Sequence, residues 1–132
     1  MRVVLLYPTW TGAYGIIAHF ARRNSRWPPL NLALLGAILE EHGHEVHIID
    51  GEVDGLSIPD IASQAIALKP DIIGLTAFSP FFHINKDLAY AIKEIDASIP
   101  IMIGGPHITI TGKDSMSSAF DYLFVGEAEY SL

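Results

Sequence analysis

The sequence predicts an α/β domain built on a doubly wound, five-stranded parallel sheet. Half of the 132 residues are hydrophobic, which is typical of strands that are buried on both faces. Short β-branched runs alternate with stretches of helical periodicity. Such alternation requires parallel pairing through right-handed crossovers, because a short hairpin cannot join parallel strands. We therefore expect the strand order 2-1-3-4-5, as in flavodoxin-like and other Rossmann-like folds.

Proline and glycine mark the first strand and the first helix. A strand is predicted at 2–7, where an apolar run stops at Pro8. Pro28 and Pro29 then open a helix that ends at Gly43, a residue suited to a left-handed cap. Its apolar positions are expected on one buried side, and they are Leu30, Leu34, Leu35, Ile38 and Leu39.

The middle of the chain repeats the same pattern. The second strand is predicted at 45–50 and the third at 71–77. Between them Ser57 begins a helix, because its side chain can accept from the N3 amide, and Pro70 ends it. The expected buried face of this helix comprises Ile58, Ile61, Ala62, Ala65 and Ile66.

The last third contains one long helix and two more strands. The helix has Ile84, Leu88, Ala91, Ile92 and Ile95 at helical spacing and ends before Pro100. Strands are predicted at 101–104 and 122–125, with a weak helix at 111–119 between them. Residues 126–132 resemble the first turn of a further, truncated helix. We expect residues 1–132 to be one domain, the N-terminal fragment of a longer polypeptide, unless a partner chain covers the open sheet face.

Composition narrows the classes of function. The net charge of −7 disfavours nucleic acid, whose phosphates are neutralised by Lys and Arg. No apolar run approaches the ~18 residues that would span a membrane, and no secretory signal is recognised. Because the chain has no cysteine, it offers neither disulfides nor the usual ligands of an iron–sulfur cluster. These features predict a cytoplasmic protein.

Ligands of an open parallel sheet bind beyond the carboxyl ends of the strands, where the strand order reverses. That rule selects four loops, at 8–12, 78–83, 105–112 and 126–129. The first of these loops lacks the G-x-G-x-x-G pattern of dinucleotide-binding proteins, so NAD is not expected.

Two glycines end the fourth predicted strand, in the run Gly104, Gly105, Pro106 and His107. Glycines in this position let another backbone or a bulky ligand approach closely, because no Cβ intervenes. The alternative is a tight turn that leads into the proline.

The third predicted strand ends with Thr76, Ala77, Phe78 and Ser79. The two hydroxyls could donate to a ligand, and the aromatic ring could lie against a planar group. The alternative is that Thr76 bonds to backbone while Phe78 belongs to the core. Ser79 has no base nearby in the sequence, so a catalytic serine is not expected.

The remaining candidates are histidines and arginines. The histidines at 42, 44 and 47 lie at the opposite edge from the four loops, which favours a structural or surface role. His19 and His107 are better placed to touch a ligand. The cluster of Arg22, Arg23 and Arg26 could meet an anionic group or an acidic domain, or could be a solvated loop. No metal site is predicted.

Five segments stand out when they are taken in order. They are PPLNLA at 28–33, GHEV at 43–46 with Asp50, PDIIGLT at 70–76, IGGPH at 103–107 and DYLFVGEAE at 121–129. Together they cover nearly the whole chain and resemble the N-terminal B12-binding domain of cobalamin-dependent radical-SAM enzymes. That group includes methyltransferases and the anaerobic magnesium-protoporphyrin monomethyl ester oxidative cyclases.

The resemblance implies a cobalamin across the carboxyl edge, with its nucleotide tail entering the sheet where glycines make room for it. The implied cofactor-binding residues are Pro8, Thr9, Thr76, Ala77, Phe78, Ser79, Gly104, Gly105, Pro106, His107, Gly126 and Glu127. It also implies a following radical-SAM domain, with a 4Fe-4S cluster and S-adenosylmethionine, as the partner of this domain. The parent enzyme would catalyse methyl transfer or oxidative cyclisation, and the fragment alone would not be catalytic.

One motif of many cobalamin proteins is missing from the chain. In D-x-H-x-x-G the Asp orients a His that ligates cobalt, but here Tyr7 and Thr9 occupy those positions and only Gly12 matches. Either cobalt receives no histidine or the site is degenerate, in which case the domain is a non-catalytic signalling or interaction module. A phosphoacceptor receiver would need acidic residues where Tyr7 and Thr76 end their strands. A free-standing enzyme is the third alternative, and no general acid and base pair supports it.

Overall fold

The computed structural model describes residues 1–17 and 28–127. The predictions for His19 and for the arginines at 22, 23 and 26 lie outside these ranges. The further helix predicted from residue 126 lies almost wholly outside them as well.

Five parallel strands form one sheet in the order β2-β1-β3-β4-β5, which confirms the predicted fold class and strand order. The strands are β1 (Arg2–Tyr7), β2 (Glu45–Asp50), β3 (Ile72–Thr76), β4 (Ile101–Gly104) and β5 (Tyr122–Leu123). The four residues from Val3 to Leu6 are at most 2% exposed. Such burial on both faces of a central strand is what the apolar composition predicted.

Helices connect the strands on both sides of the sheet. They are α1 (Leu30–Glu41), α2 (Gly51–Asp54), α3 (Ile58–Ala67), α4 (Phe82–Ile95) and α5 (Pro106–Thr111). Short 3-10 segments cover Thr11–Ile17, Ser79–Phe81 and Gly112–Ser115. The short helix α2 was not predicted.

The predicted helix ends are confirmed by their caps. The Ser57 hydroxyl accepts from the Asp60 N–H at 3.3 Å, and the Asp60 carboxylate accepts from the Ser57 N–H in return. This reciprocal pair is a capping box, which satisfies two backbone donors at the start of α3. Gly43 follows α1 with a φ of 82°, in the left-handed region where glycine avoids Cβ strain.

The buried face of α1 differs from the prediction. Leu30 and Leu34 are 71% and 54% exposed. Leu39 is buried as predicted, but the other two buried residues, Leu32 and Gly36, were not predicted. The helix is apolar on almost every side, so spacing alone could not select the face. Gly36 lies on the face that packs on the sheet, where a Cβ would come into van der Waals contact with Val46 and Ile48.

The segment after β4 also differs from the prediction. The weak helix expected at 111–119 is wrong, since α5 begins at Pro106 and a 3-10 turn follows it. Proline is favourable in the first turn of a helix because its missing N–H has no partner there. The fifth strand has two residues rather than the four predicted at 122–125.

The two faces of the sheet are covered unequally. The larger core cluster packs beneath α3 and α4 and includes Ile61, Leu88, Ile92 and Ile103. The smaller cluster, on the other face, consists of Val3, Leu5, Leu32, Leu39 and Met102. Among the described helices, α1 is the one that packs on this smaller cluster. The described residues leave the sheet surface beside α1, over β3 and β4, uncovered.

Asp121 fastens the short edge strand β5 to its neighbours. Its Oδ2 accepts from Lys93 Nζ at 2.7 Å and from the Ile101 N–H at 2.8 Å. Burial would raise the pKa of the Asp121 carboxyl, but these hydrogen bonds and the Lys93 charge hold the pKa below its ordinary value. The ionised carboxylate therefore stabilises the folded state.

We expect Asp121→Asn to lower the free energy of unfolding at pH 7 by about 1 kcal/mol, a figure that allows for solvent screening of a partly exposed pair. Because the folded pKa is lowered, the contribution is complete above the unfolded pKa of about 4 and is lost as pH falls through the folded value. Urea unfolding at pH 7 and at about pH 2.5 measures both effects. The exposed Asp87→Asn serves as the control, and a difference that persists unchanged at the acidic pH would contradict the assignment.

Candidate functional site

A cavity of about 750 Å³ opens at the carboxyl edge of the sheet, on the face that carries α1. Its floor is a row of Leu5, Gly74 and Met102 on three neighbouring strands, which the strand register places side by side. A Cβ on Gly74 would lie 2.7 Å from Leu5 Cδ2 and 3.0 Å from Met102 Cε. Any side chain on Gly74 would therefore push these two residues out of place and disturb the cavity floor.

The walls of the cavity are largely apolar. Leu32 and Leu35 of α1 form one side, and Phe124 after β5 forms part of another. Ligand pockets commonly combine apolar walls with a few placed polar groups. The cavity has this character.

Thr76 supplies one of the polar groups at the end of β3. Asn31 Nδ2 donates to Thr76 Oγ1 at 2.9 Å. Of the two sequence alternatives, a bond from Thr76 to backbone is therefore wrong, because its partner is a side chain at the start of α1. No described residue accepts from the Thr76 hydroxyl, whose hydrogen is left to donate to a ligand.

Asn31 was missed by the sequence analysis. It lies in the first turn of the helix that follows the β1 loop, and such a turn faces the carboxyl edge in any β-α unit. A search of the first turns of the crossover helices would have found it.

Phe78 lines the cavity and is 40% exposed. The alternative that placed this ring in the core is therefore wrong. Its neighbour Ala77 is fully buried and joins two loops through its backbone. The Ala77 N–H donates to the Gly104 carbonyl at 2.8 Å, and the Ala77 carbonyl accepts from the His107 N–H at 3.0 Å.

The two glycines after β4 have different surroundings. Gly104 lines the cavity, and a Cβ there would meet Phe124 Cβ at 3.4 Å. Gly105 has φ 101° and ψ −179°, a region that is essentially restricted to glycine. A Cβ on Gly105 would lie 2.8 Å from Thr76 Oγ1 and 2.9 Å from Ala77 N. Gly105 thus permits a close approach of the β3 backbone. The sequence analysis left open whether a backbone or a bulky ligand approaches here, and the Cβ position of Gly105 faces the backbone.

Gly126 and Glu127 close the far side of the rim, next to Pro106. The Gly126 N–H donates to Thr109 Oγ1 at 3.1 Å, and the Thr109 hydroxyl donates to the Gly105 carbonyl at 3.1 Å. This short chain of bonds joins the β4 and β5 loops. Glu127 is the one charged residue among the described residues that line the cavity.

The predicted residues Thr9, Ser79 and His107 do not line this cavity. The Thr9 hydroxyl lies 2.6 Å from the Gly51 carbonyl oxygen and 2.7 Å from that of Leu56, so it holds the β1 loop against α2. Pro8 lines a second, smaller cavity beside the first.

Ser79 and His107 form a contact that the sequence could not reveal. Ser79 Oγ lies 3.0 Å from His107 Nδ1, and the His107 ring stacks on Phe82 with centroids 4.2 Å apart. In the described part of the chain no carboxylate bonds to His107, so the pair lacks the orienting acid of a nucleophilic triad. The contact joins the β3 and β4 loops.

The buried carboxylate of Glu52 holds the β1 loop in place. The sequence analysis did not identify this residue. This carboxylate is only 3% exposed. It accepts from the Trp10 N–H at 2.8 Å, the Thr11 N–H at 3.1 Å and Thr11 Oγ1 at 2.6 Å. A buried charge is tolerated when several donors satisfy it, and these three hold the loop in one conformation.

Tyr7 lies between the two cavities and lines both. Burial raises the pKa of its phenol, and although a hydrogen bond with Trp10 opposes this, the charges of Asp50 and Glu52 raise the pKa further. Tyr7 therefore stays a neutral hydrogen-bonding group at physiological pH.

A comparison with protein families identifies the family of this chain. The model of the B12 binding domain matches residues 17–132. The chain belongs to the B12-binding domain family. This membership confirms the resemblance inferred from the five ordered segments, and the 2-1-3-4-5 sheet agrees with it.

Curated relatives of this B12-binding domain are longer proteins. The chain is 31% identical over 131 residues to an uncharacterized methyltransferase of Pyrococcus horikoshii, covering 98% of this chain and 27% of the relative. It is 29% identical over 132 residues to the anaerobic magnesium-protoporphyrin IX monomethyl ester cyclase of Rubrivivax gelatinosus, covering 98% of this chain and 23% of that protein. The same cyclase of Cereibacter sphaeroides is 27% identical over 132 residues, with 98% and 21% covered. The chain therefore spans about a quarter of the length of these relatives.

Residues 1–17 and 28–127 of the B12-binding domain contain no helix with the length and apolar character needed to cross a membrane. Within the same ranges, no three His, Asp or Glu residues lie in an arrangement that could hold a metal ion.

We expect Gly105→Ala to lower the free energy of unfolding by about 2 kcal/mol, because the new Cβ forces both an unfavourable backbone conformation and a clash. Urea unfolding measures the change. Gly12→Ala is the matched control, since a Cβ at Gly12 would meet nothing within 4 Å. Equal stabilities of the two variants would contradict the account of Gly105.

Proposed function

We propose that this B12-binding domain binds cobalamin, with the nucleotide tail in the 750 Å³ cavity and the corrin ring across the carboxyl edge of the sheet. The observation that carries the proposal is the open space above Leu5, Gly74 and Met102, which the described side chains of the domain do not fill. It lies where the strand order reverses, the place at which this class of fold binds ligands.

The chemistry of the walls suits the nucleotide tail. A benzimidazole base is planar and largely apolar, so Leu32, Leu35 and Met102 can bury its faces. The Thr76 hydroxyl, held by Asn31, can donate to a nitrogen or a phosphate oxygen. Phe78 offers a ring against which a planar group can lie.

In the proposed complex the β1 loop would lie next to the corrin. Thr9 occupies the position of the histidine in D-x-H-x-x-G, and its hydroxyl already contacts the carbonyls of Gly51 and Leu56. We therefore propose that cobalt receives no ligand from Thr9. The loop would keep its conformation through Glu52 rather than through a bond to the metal.

The activity belongs to the longer protein that we propose surrounds this domain. Bound cobalamin supplies methyl-transfer or related cobalt chemistry, and the protein supplies binding and orientation. The similarity to a methyltransferase and to two cyclases supports a parent enzyme of one of these two kinds. We propose that a C-terminal radical-SAM domain, with a 4Fe-4S cluster and S-adenosylmethionine, faces the corrin in the cytoplasm, and that the domain alone is not catalytic.

Leu35→Trp tests the position of the tail. The indole would enter the cavity from α1, so we expect the variant to retain hydroxocobalamin at least tenfold less tightly than the unchanged chain, because the tail loses its space. Gel filtration with detection of the corrinoid absorbance, followed by titration, measures retention.

Leu34→Trp is the control for this experiment. Leu34 neighbours Leu35 on the same helix but is 54% exposed and does not line the cavity. Its substitution should leave retention unchanged. Absence of colour with the folded, unchanged chain would refute cobalamin binding, and equal retention by both variants would place the tail elsewhere.

A further inference from the structure

A second cavity of about 310 Å³ adjoins the first and is not used by the nucleotide tail in the proposed complex. The two cavities share Tyr7, Thr76 and Phe78. The other lining residues of the second cavity are Pro8, Trp10, Pro80, Phe81 and Asn85. We call it the Asn85 pocket.

The lining of the Asn85 pocket selects an uncharged, flat group. No charged side chain is present among its described lining residues, and an unpaired charge would be costly to bury there. The rings of Trp10 and Phe81 lie 5.1 Å apart at 36°, and Phe78 adds a third aromatic surface. Aromatic and proline surfaces of this kind pack well on planar groups.

Asn85 supplies the polar feature of the pocket. The residue is only 2% exposed. Its Nδ2 donates to the Phe81 carbonyl at 3.5 Å, whereas its Oδ1 is buried and accepts no hydrogen bond from any described residue. The opposite orientation of the amide would bring two oxygens together, so Oδ1 is the atom that needs a partner. A buried acceptor without a donor is uncommon in folded proteins.

We propose that the Asn85 pocket binds a neutral carboxamide, whose N–H donates to Asn85 Oδ1. A carboxamide is planar, uncharged and able both to donate and to accept. Its carbonyl oxygen can accept from the hydroxyl of Tyr7, which lines the pocket. An alcohol would match the donor requirement but would not present a flat face to the rings.

Under the proposed function, the carboxamide belongs to cobalamin. Cobalamin carries carboxamide arms around its corrin ring, and this part of the inference rests on cobalamin binding by the domain. One arm would enter the Asn85 pocket while the tail occupies the larger cavity. The pocket would then fix the rotation of the ring over the sheet.

Asn85→Leu separates recognition from folding. We expect the variant to bind hydroxocobalamin about tenfold more weakly than the unchanged chain, as measured by absorbance titration. We also expect its ligand-free thermal midpoint to rise by roughly 3 °C, because the unpaired buried acceptor is removed. A merely structural asparagine would instead lower the midpoint. His83→Ala, at an exposed residue on the same helix, should change neither quantity.

Equal affinities of Asn85→Leu and the unchanged chain would overturn the assignment of the carboxamide arm. A folded, unchanged chain that binds no hydroxocobalamin would instead refute the proposed function. Carboxamide binding by the Asn85 pocket is then tested with a probe that contains no cobalt.

Benzamide and methyl benzoate are nearly equal in shape, but only benzamide donates a hydrogen bond. We expect benzamide to shift the Trp10 indole N–H resonance saturably, with at least tenfold tighter binding than methyl benzoate, and this preference to vanish in Asn85→Leu. The chain has two tryptophans, so Trp27→Phe assigns the signal. Equal affinity for the two probes, or binding of neither, would overturn the carboxamide proposal.

Discussion

The order of the strands is the constraint on which the rest of the structure depends. Because β1 lies between β2 and β3, the chain leaves β1 toward one face of the sheet and leaves β3 toward the other. The connections therefore diverge at the carboxyl edge, and a crevice opens between them. Gly74, in the middle of β3, leaves room for the side chains of Leu5 and Met102, which close over it and form the cavity floor. Topology supplies the position of the site, and one glycine allows its floor to pack.

Unequal covering of the two sheet faces follows from the same arrangement. The face beneath α3 and α4 is packed as a continuous core. On the other face α1 packs beside β2 and β1, so the sheet surface toward β4 borders the cavity. A helix that is apolar on almost every side suits this place, since α1 packs Leu32 and Leu39 inward while Leu35 faces the cavity. The apolar surface of α1 therefore faces two environments, the core against the sheet and the cavity.

The sequence predicted the features that depend on residues close together in the chain. Apolar runs located all five strands, Ser57 and Gly43 marked helix ends, and the alternation of strands and helices gave the strand order. It could not predict contacts between residues distant in the chain. The bond from Asn31 to Thr76, the pairing of Ser79 with His107 and the burial of Glu52 all depend on how loops meet at the sheet edge. The face of α1 was missed for a related reason, because its composition has no clear polar side.

Many of the residues around the site make contacts within the domain and do not face a ligand. Glu52 and Thr9 hold the β1 loop, Gly105 admits the β3 backbone, and Thr109 links two further loops. Fixing loops in advance reduces the conformational freedom that is lost when a ligand binds. It also explains how a chain with Tyr7 and Thr9 in place of Asp and His can suit the proposed cobalamin. The β1 loop is held by the buried Glu52 carboxylate, so its conformation does not depend on a histidine at the position of Thr9.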